Sequence, residues 1–226
     1  MNSTRIFFVI FILISIIHVA FIIFKKEKMR RISKCLVVPL LLAVYVAGGG
    51  SRFIFPVIAL ILGWIGDVLL INIAKSINFK LGLAAFLLGH IFYIIAFVQL
   101  LGFFGSGGTG GKLNIPSLLI FVPPAAVLGA VVFRLIKPTK EMYIPVIVYM
   151  IVLLAMSLLG FQVFLFSGGT AGLLVLSGCF NFMVSDTMLA YYTFRKLKLT
   201  GAVLIMVFYI AAQAEIVLGL LMMIRH

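Results

Sequence analysis

Acidic residues are nearly missing from this 226-residue chain: Glu27, Asp67, Glu141, Asp186 and Glu215 are all it has. Charge of either sign is scarce, at 10% of residues, while 65% are hydrophobic. A soluble domain is about one-quarter charged and about half apolar, so this composition excludes one. No polar segment is long enough for a second domain, and 1–226 reads as a single integral membrane domain. The two cysteines, Cys35 and Cys179, fall at or within apolar runs. That excludes a disulfide framework or a zinc cluster and leaves small buried thiols. The Gly-rich stretch 102–111 reads as the longest loop. No strand precedes it and no Gly-Lys-Ser/Thr closes it, so it is not a phosphate-binding loop.

What is abundant is long apolar runs. A membrane-spanning helix needs about 20 apolar residues. Eight runs are read as spans, at about 6–24, 35–48, 53–74, 81–101, 115–136, 143–165, 170–194 and 201–224. The second is the shortest, with Pro39 inside it and Gly48-Gly49-Gly50 closing it. The first is longer than the 7–15-residue core of a secretory signal and is followed by Lys25-Lys26-Glu27-Lys28, so it reads as a retained span. Backbone polar groups in lipid must be satisfied internally, which makes each span helical. The expected fold is an all-α bundle of eight transmembrane helices.

The net charge of +13 resides in short loops between these runs, so it reports orientation and no nucleic-acid partner is expected. Fourteen basic residues fall on one side: Lys25, Lys26, Lys28, Arg30, Arg31, Lys34, Lys75, Lys80, Arg134, Lys137, Lys140, Arg195, Lys196 and Lys198. Four fall on the other: Arg5, Arg52, Lys112 and Arg225. The rule that basic loops stay inside makes the first side cytoplasmic and puts both termini outside. Some of the loop cations could also hold a phosphate headgroup.

Against this background two carboxylates stand out. Asp67 lies in Gly63-Trp64-Ile65-Gly66-Asp67-Val68-Leu69-Leu70, and Asp186 in Asn181-Phe182-Met183-Val184-Ser185-Asp186. A carboxylate at a span centre costs roughly 2.5–3.5 kcal/mol to insert, and such residues are functional by default. At ~1.5 Å per residue, both fall about 12–14 Å from the basic end of their spans. His18, His90 and Tyr209 fall in the same layer, so five spans contribute polar groups at one depth. Gly63, Gly66 and Asp67 share a helix face, which lets a neighbouring helix approach closely beside the carboxylate. Phe86, His90 and Tyr93 also line up on one face. Tyr93, Tyr149, Asn181, Ser185, Tyr209 and Gln213 are candidates to line a cavity. Glu215 lies outside the polar layer. His18, His90, Asp67 and Asp186 include no ligand pair at i, i+3 or i, i+4, so no metal is expected.

These residues resemble those of the eight-span lysoplasmalogenase family, whose bacterial members are called YhhN-like. The resemblance runs in order through Gly66-Asp67-x-x-Leu70, Phe86-x-x-Gly89-His90-x-x-Tyr93, Pro145-x-x-x-Tyr149 with Met156, Ser185-Asp186-x-x-Leu189-Ala190, and Tyr209-x-x-Ala212-Gln213. It departs at span 2, where Lys34 is followed by Cys35 rather than proline. The resemblance implies hydrolysis of the vinyl ether bond of lysoplasmalogens to a fatty aldehyde and glycerophospho-ethanolamine or -choline. It implies no cofactor, a lysophospholipid as substrate, membrane lipids as surroundings and a bacterial inner membrane as location.

Vinyl ether hydrolysis needs a proton delivered to carbon, and thus an acid still protonated at neutral pH. Two neighbouring carboxyls that share one proton meet that need. Asp67 and Asp186 are therefore the expected catalytic pair, one donating the proton and the other stabilising the cation and activating water, with His90 and Tyr93 orienting water or a carboxylate. The rival reading is a proton- or cation-coupled secondary transporter built as a 4+4 repeat around the same acids. A pocket open sideways to lipid would favour the enzyme.

Overall fold

The computed structural model describes residues 3–72, 76–105, 114–195 and 199–224. Among these, the chain forms eight α-helices and no strand: α1 (Ser3–Ile23), α2 (Glu27–Ala47), α3 (Ile54–Leu69), α4 (Ser76–Gly105), α5 (Ile115–Ile136), α6 (Tyr143–Ser167), α7 (Gly169–Arg195) and α8 (Leu199–Ile224). Helix α8 packs on α7, α1 and α2. Helices α3, α4 and α6 complete the ring, and α5 leans on α6 and α7 from outside. Apolar side chains of α1, α3 and α5 face outward in numbers that water would not tolerate (Leu13, Ile16, Ile65, Leu119 and Val127 among them). Seven of the helices are long and apolar enough to cross a membrane.

Helix α2 is the exception, and it corrects the expected span 35–48. It begins eight residues earlier, at Glu27. Lys, Arg, Glu and Met are good helix formers, so the basic stretch continues the helix instead of forming a loop. Its N-terminal half carries Glu27, Lys28, Arg30, Arg31 and Lys34, which keeps it from being apolar enough to count as a span. It also runs straight through Pro39. Proline lacks the N–H that would bond the carbonyl four residues back. That carbonyl belongs to Cys35, and the Trp64 indole of α3 donates to it at 3.0 Å.

Other bounds shift less. Helix α4 extends through Gly105, so the expected loop 102–111 is helical at its start, and its remainder lies outside the described residues. Helix α3 ends at Leu69 and a 3-10 turn, Leu70–Asn72, follows. The expected end of span 3 at 74 and the basic residues Lys75, Lys112, Lys196, Lys198 and Arg225 also lie outside the described residues. Helices α6 and α7 are joined through Gly168 and Gly169, both at positive φ, a conformation open to glycine without strain.

The predicted small face of α3 does bring neighbours close. A Cβ on Gly63 would sit 3.0 Å from Gln213 Nε2 of α8, and one on Gly66 would sit 2.6 Å from the Phe86 ring of α4. A Cβ on Gly178 of α7 would likewise sit 2.9 Å from the Ala212 carbonyl of α8. Close backbones at these points set the positions of α3, α7 and α8, and hence of the residues one turn further along them.

Candidate active site

Asp67 and Asp186 line one cavity of about 220 Å³. Its walls come from the ends of helices that meet on the basic side: Ile22, Glu27, Arg30 and Lys34 from α1 and α2, Leu70 and Ile71 after α3, Leu189 and Tyr192 from α7, and Ala202 and Ile205 from α8. Phe86, Ser185, Met206 and Tyr209 complete it.

Asp67 is buried, at 2% exposure, with both carboxylate oxygens engaged. Lys34 Nζ lies 3.3 Å from Oδ1, and the Tyr209 hydroxyl donates to Oδ2 at 2.8 Å. A polar chain continues from there into the bundle. Gln213 Nε2 donates to Tyr209 Oη at 3.3 Å, and Tyr93 Oη donates to Gln213 Oε1 at 2.8 Å. Four buried polar side chains on three helices thus satisfy one another, as buried groups must. The predicted residues Tyr93, Tyr209 and Gln213 meet here.

Asp186 has different company. The Tyr149 hydroxyl donates to its Oδ2 at 2.5 Å, and His90 Nε2 lies 3.7 Å from the same oxygen. Among the described residues both polar neighbours address Oδ2, and no side-chain donor addresses Oδ1. The His90 ring is wedged edge-on between Tyr149 and Phe182, with centroids 5.5 and 5.0 Å away. Its Nδ1 is buried and has no protein partner among the described residues. Ser185 donates to the Ile205 carbonyl at 3.2 Å and so ties α7 to α8 beside the cavity.

A second, apolar slot of about 50 Å³ reaches Asp186 from the other side. Leu83, Val146, Met150 and Leu153 line it, and Phe86, Leu70 and Leu189 are shared with the polar cavity. Through Val132, Ile136 and Thr187 the slot adjoins an apolar groove of about 280 Å³ on the outside of α5 and α7. Asp186 therefore stands where a polar cavity and a lipid-facing apolar path meet.

His90, Tyr93 and Gln213 stand behind the cavity wall and do not line it, while His18 of the expected polar layer and Asn181 of the expected cavity residues lie elsewhere. His18 Nδ1 pairs with Ser33 Oγ at 2.8 Å between α1 and α2, away from the cavity lining. Asn181 Nδ2 donates to Glu215 Oε2 at 2.8 Å, joined there by Ser177 Oγ at 2.8 Å, so it serves a separate carboxylate between α7 and α8. Lys34 and Arg30 line the cavity; they belong to the basic residues that report orientation and could also hold a phosphate headgroup. Their signal is the spacing Glu27, Arg30, Lys34, one face of a helix, which is legible once α2 is seen to start at Glu27.

A sequence model of the YhhN family matches residues 29–220. Human lysoplasmalogenase TMEM86B is 36% identical over 163 residues, which are 72% of this chain and 62% of that protein. The chain thus spans less than two-thirds of that relative's length. No solved structure matches. The family match takes in both aspartates and the cavity-lining residues other than Ile22 and Glu27, and the chain belongs to the YhhN family.

Proposed function

We propose that this membrane protein hydrolyses the vinyl ether bond of lysoplasmalogens, releasing a fatty aldehyde and a glycerophospho-alcohol. The observation that carries the reading is the position of Asp186 between a basic-walled polar cavity and an apolar slot. A lysolipid has that division: a phosphate headgroup, one chain, and the scissile bond between them. The human relative is named a lysoplasmalogenase, which favours a hydrolase over the transporter reading of the same acids.

The contacts support a division of labour. Asp67, engaged by the Lys34 ammonium, is the ionised member, since a buried carboxylate with a cation on it keeps its charge. Asp186, whose partners are a phenol and an imidazole, carries the proton. It passes that proton from Oδ1 to the β-carbon of the enol ether. The double bond's electrons form the new C–H bond, leaving an oxocarbenium ion. Water adds to the carbon next to oxygen, and a carboxylate takes its proton. The hemiacetal then breaks its bond to the glycerol oxygen, which is protonated, and aldehyde leaves. Tyr149 and His90 hold Asp186 in place throughout. Phosphate rests on Arg30 and Lys34, and the chain enters the slot.

The test is aldehyde release from a lysoplasmalogen by the purified protein, beside Asp67→Asn and Asp186→Asn. Positioned acid–base groups contribute about 10²- to 10⁴-fold, and each variant should lose that much while eluting and melting as a folded protein. Full turnover in either variant discards the aspartate pair. No aldehyde from a folded wild type discards the reaction.

A further inference from the structure

The wall of α2 presents an ordered series of charges to the cavity. Lys34 is innermost and buried, Arg30 comes one turn outward, and Glu27 lies at the mouth with its side chain 61% exposed. Arg30 donates to Glu27 Oε2 from Nε at 3.1 Å and from Nη2 at 2.7 Å. A guanidinium has five N–H groups, so donors remain for an anion. Both of these donors address Oε2, and Glu27 Oε1 has no side-chain donor among the described residues. Beyond Asp67 the cavity thus runs cation, cation, anion toward its mouth.

A purely anionic headgroup fits this series poorly, because the carboxylate stands where it enters. A headgroup with a phosphate inside and an ammonium outside matches every position. Arg30 and Glu27 are three residues apart, ~4.5 Å along the helix axis, a separation that the two carbons of an ethanolamine can bridge. We propose that Glu27 binds the ammonium of a zwitterionic phosphoethanolamine headgroup whose phosphate lies on Arg30 and Lys34. Glu27 is then a specificity residue that selects amine-bearing lysolipids over lysophosphatidate-like ones. The inference rests on the lysolipid reading of the same cavity.

The test uses ligands that the enzyme cannot cleave: saturated 1-alkyl ether lysolipids bearing phosphoethanolamine or bare phosphate, titrated against the full chain in detergent by thermal shift. An exposed charge pair is worth about 1.4- to 5-fold in affinity, so wild type should bind the phosphoethanolamine lipid more tightly by up to about fivefold. Glu27→Gln should erase that preference while binding the bare phosphate lipid at least as well, and Glu27→Asp should restore part of it. Equal affinities in wild type overturn the proposal. So does a Glu27→Gln protein that weakens both ligands alike, because that is the signature of a residue that merely positions Arg30. Binding is read without turnover, so the two readings separate. Discrimination without aldehyde release from a vinyl ether substrate overturns the reaction alone, and aldehyde release without discrimination overturns the headgroup assignment alone.

Discussion

The Lys34 ammonium lies 3.3 Å from the Asp67 carboxylate, and both side chains are almost wholly enclosed, at 11% and 3% exposure. The pair joins α2 to α3 across the cavity floor. A basic residue at the edge of an apolar run is usually an orientation signal. Here it is folded inward, because α2 starts at Glu27 and carries Lys34 two turns into the bundle. The Lys34 ammonium serves Asp67, and Asp186 has no cation at hydrogen-bond distance among the described residues. Two aspartates in similar sequence settings thereby have different partners.

Breaking that pair should be costly. Removing one partner of a buried ion pair destabilises by about 3–5 kcal/mol, whereas replacing both by apolar residues is often near neutral. Lys34→Met should therefore lower the melting temperature more than the double change Lys34→Met with Asp67→Leu. Both should lack activity. Equal melting temperatures for the single and double variants would show that the two groups are not coupled.

The proline in α2 carries its own prediction. The Cys35 carbonyl, left without its helical donor by Pro39, is served by the Trp64 indole. Trp64→Phe keeps the ring and removes the N–H. A lost hydrogen bond of this kind costs about 1 kcal/mol. The variant should melt lower by that amount, and Ala at position 39 should reduce the difference between Trp and Phe at position 64 by restoring the backbone donor. A Trp64→Phe effect that is the same in both backgrounds would argue against the exchange.

The apolar path predicts a chain-length effect. Thr187 lines both the slot beside Asp186 and the outer groove between α5 and α7. Thr187→Trp should obstruct the passage between them. Burial contributes about 0.8 kcal/mol per methylene, so long-chain substrates should lose several-fold in kcat/KM while chains too short to reach the groove are nearly unaffected. A uniform loss at all chain lengths would place the chain elsewhere.

Much of this protein is legible without coordinates, for a simple reason. Lipid leaves the backbone one local solution, so a run of apolar residues is a helix wherever it occurs, and the runs at 6–24, 115–136 and 143–165 match α1, α5 and α6 to within a few residues. Asp67 and Asp186 announce themselves because hydrocarbon makes any carboxylate conspicuous. Close packing at Gly63 and Gly66 follows from their spacing alone.

Tertiary structure decided what a one-dimensional reading could not: which polar group faces which. Tyr209 and Tyr149 are equal candidates to line a cavity in the sequence, yet one serves Asp67 and the other Asp186. Asn181 is one turn from Ser185 and turns instead to Glu215. Lys34 moves from the rim to the floor through the rotation and start of a single helix. Depth in the membrane follows from counting residues, because hydrophobic burial is summed along the chain. Partner choice depends on the rotation of each helix about its axis, and that is set by packing against neighbours far away in sequence.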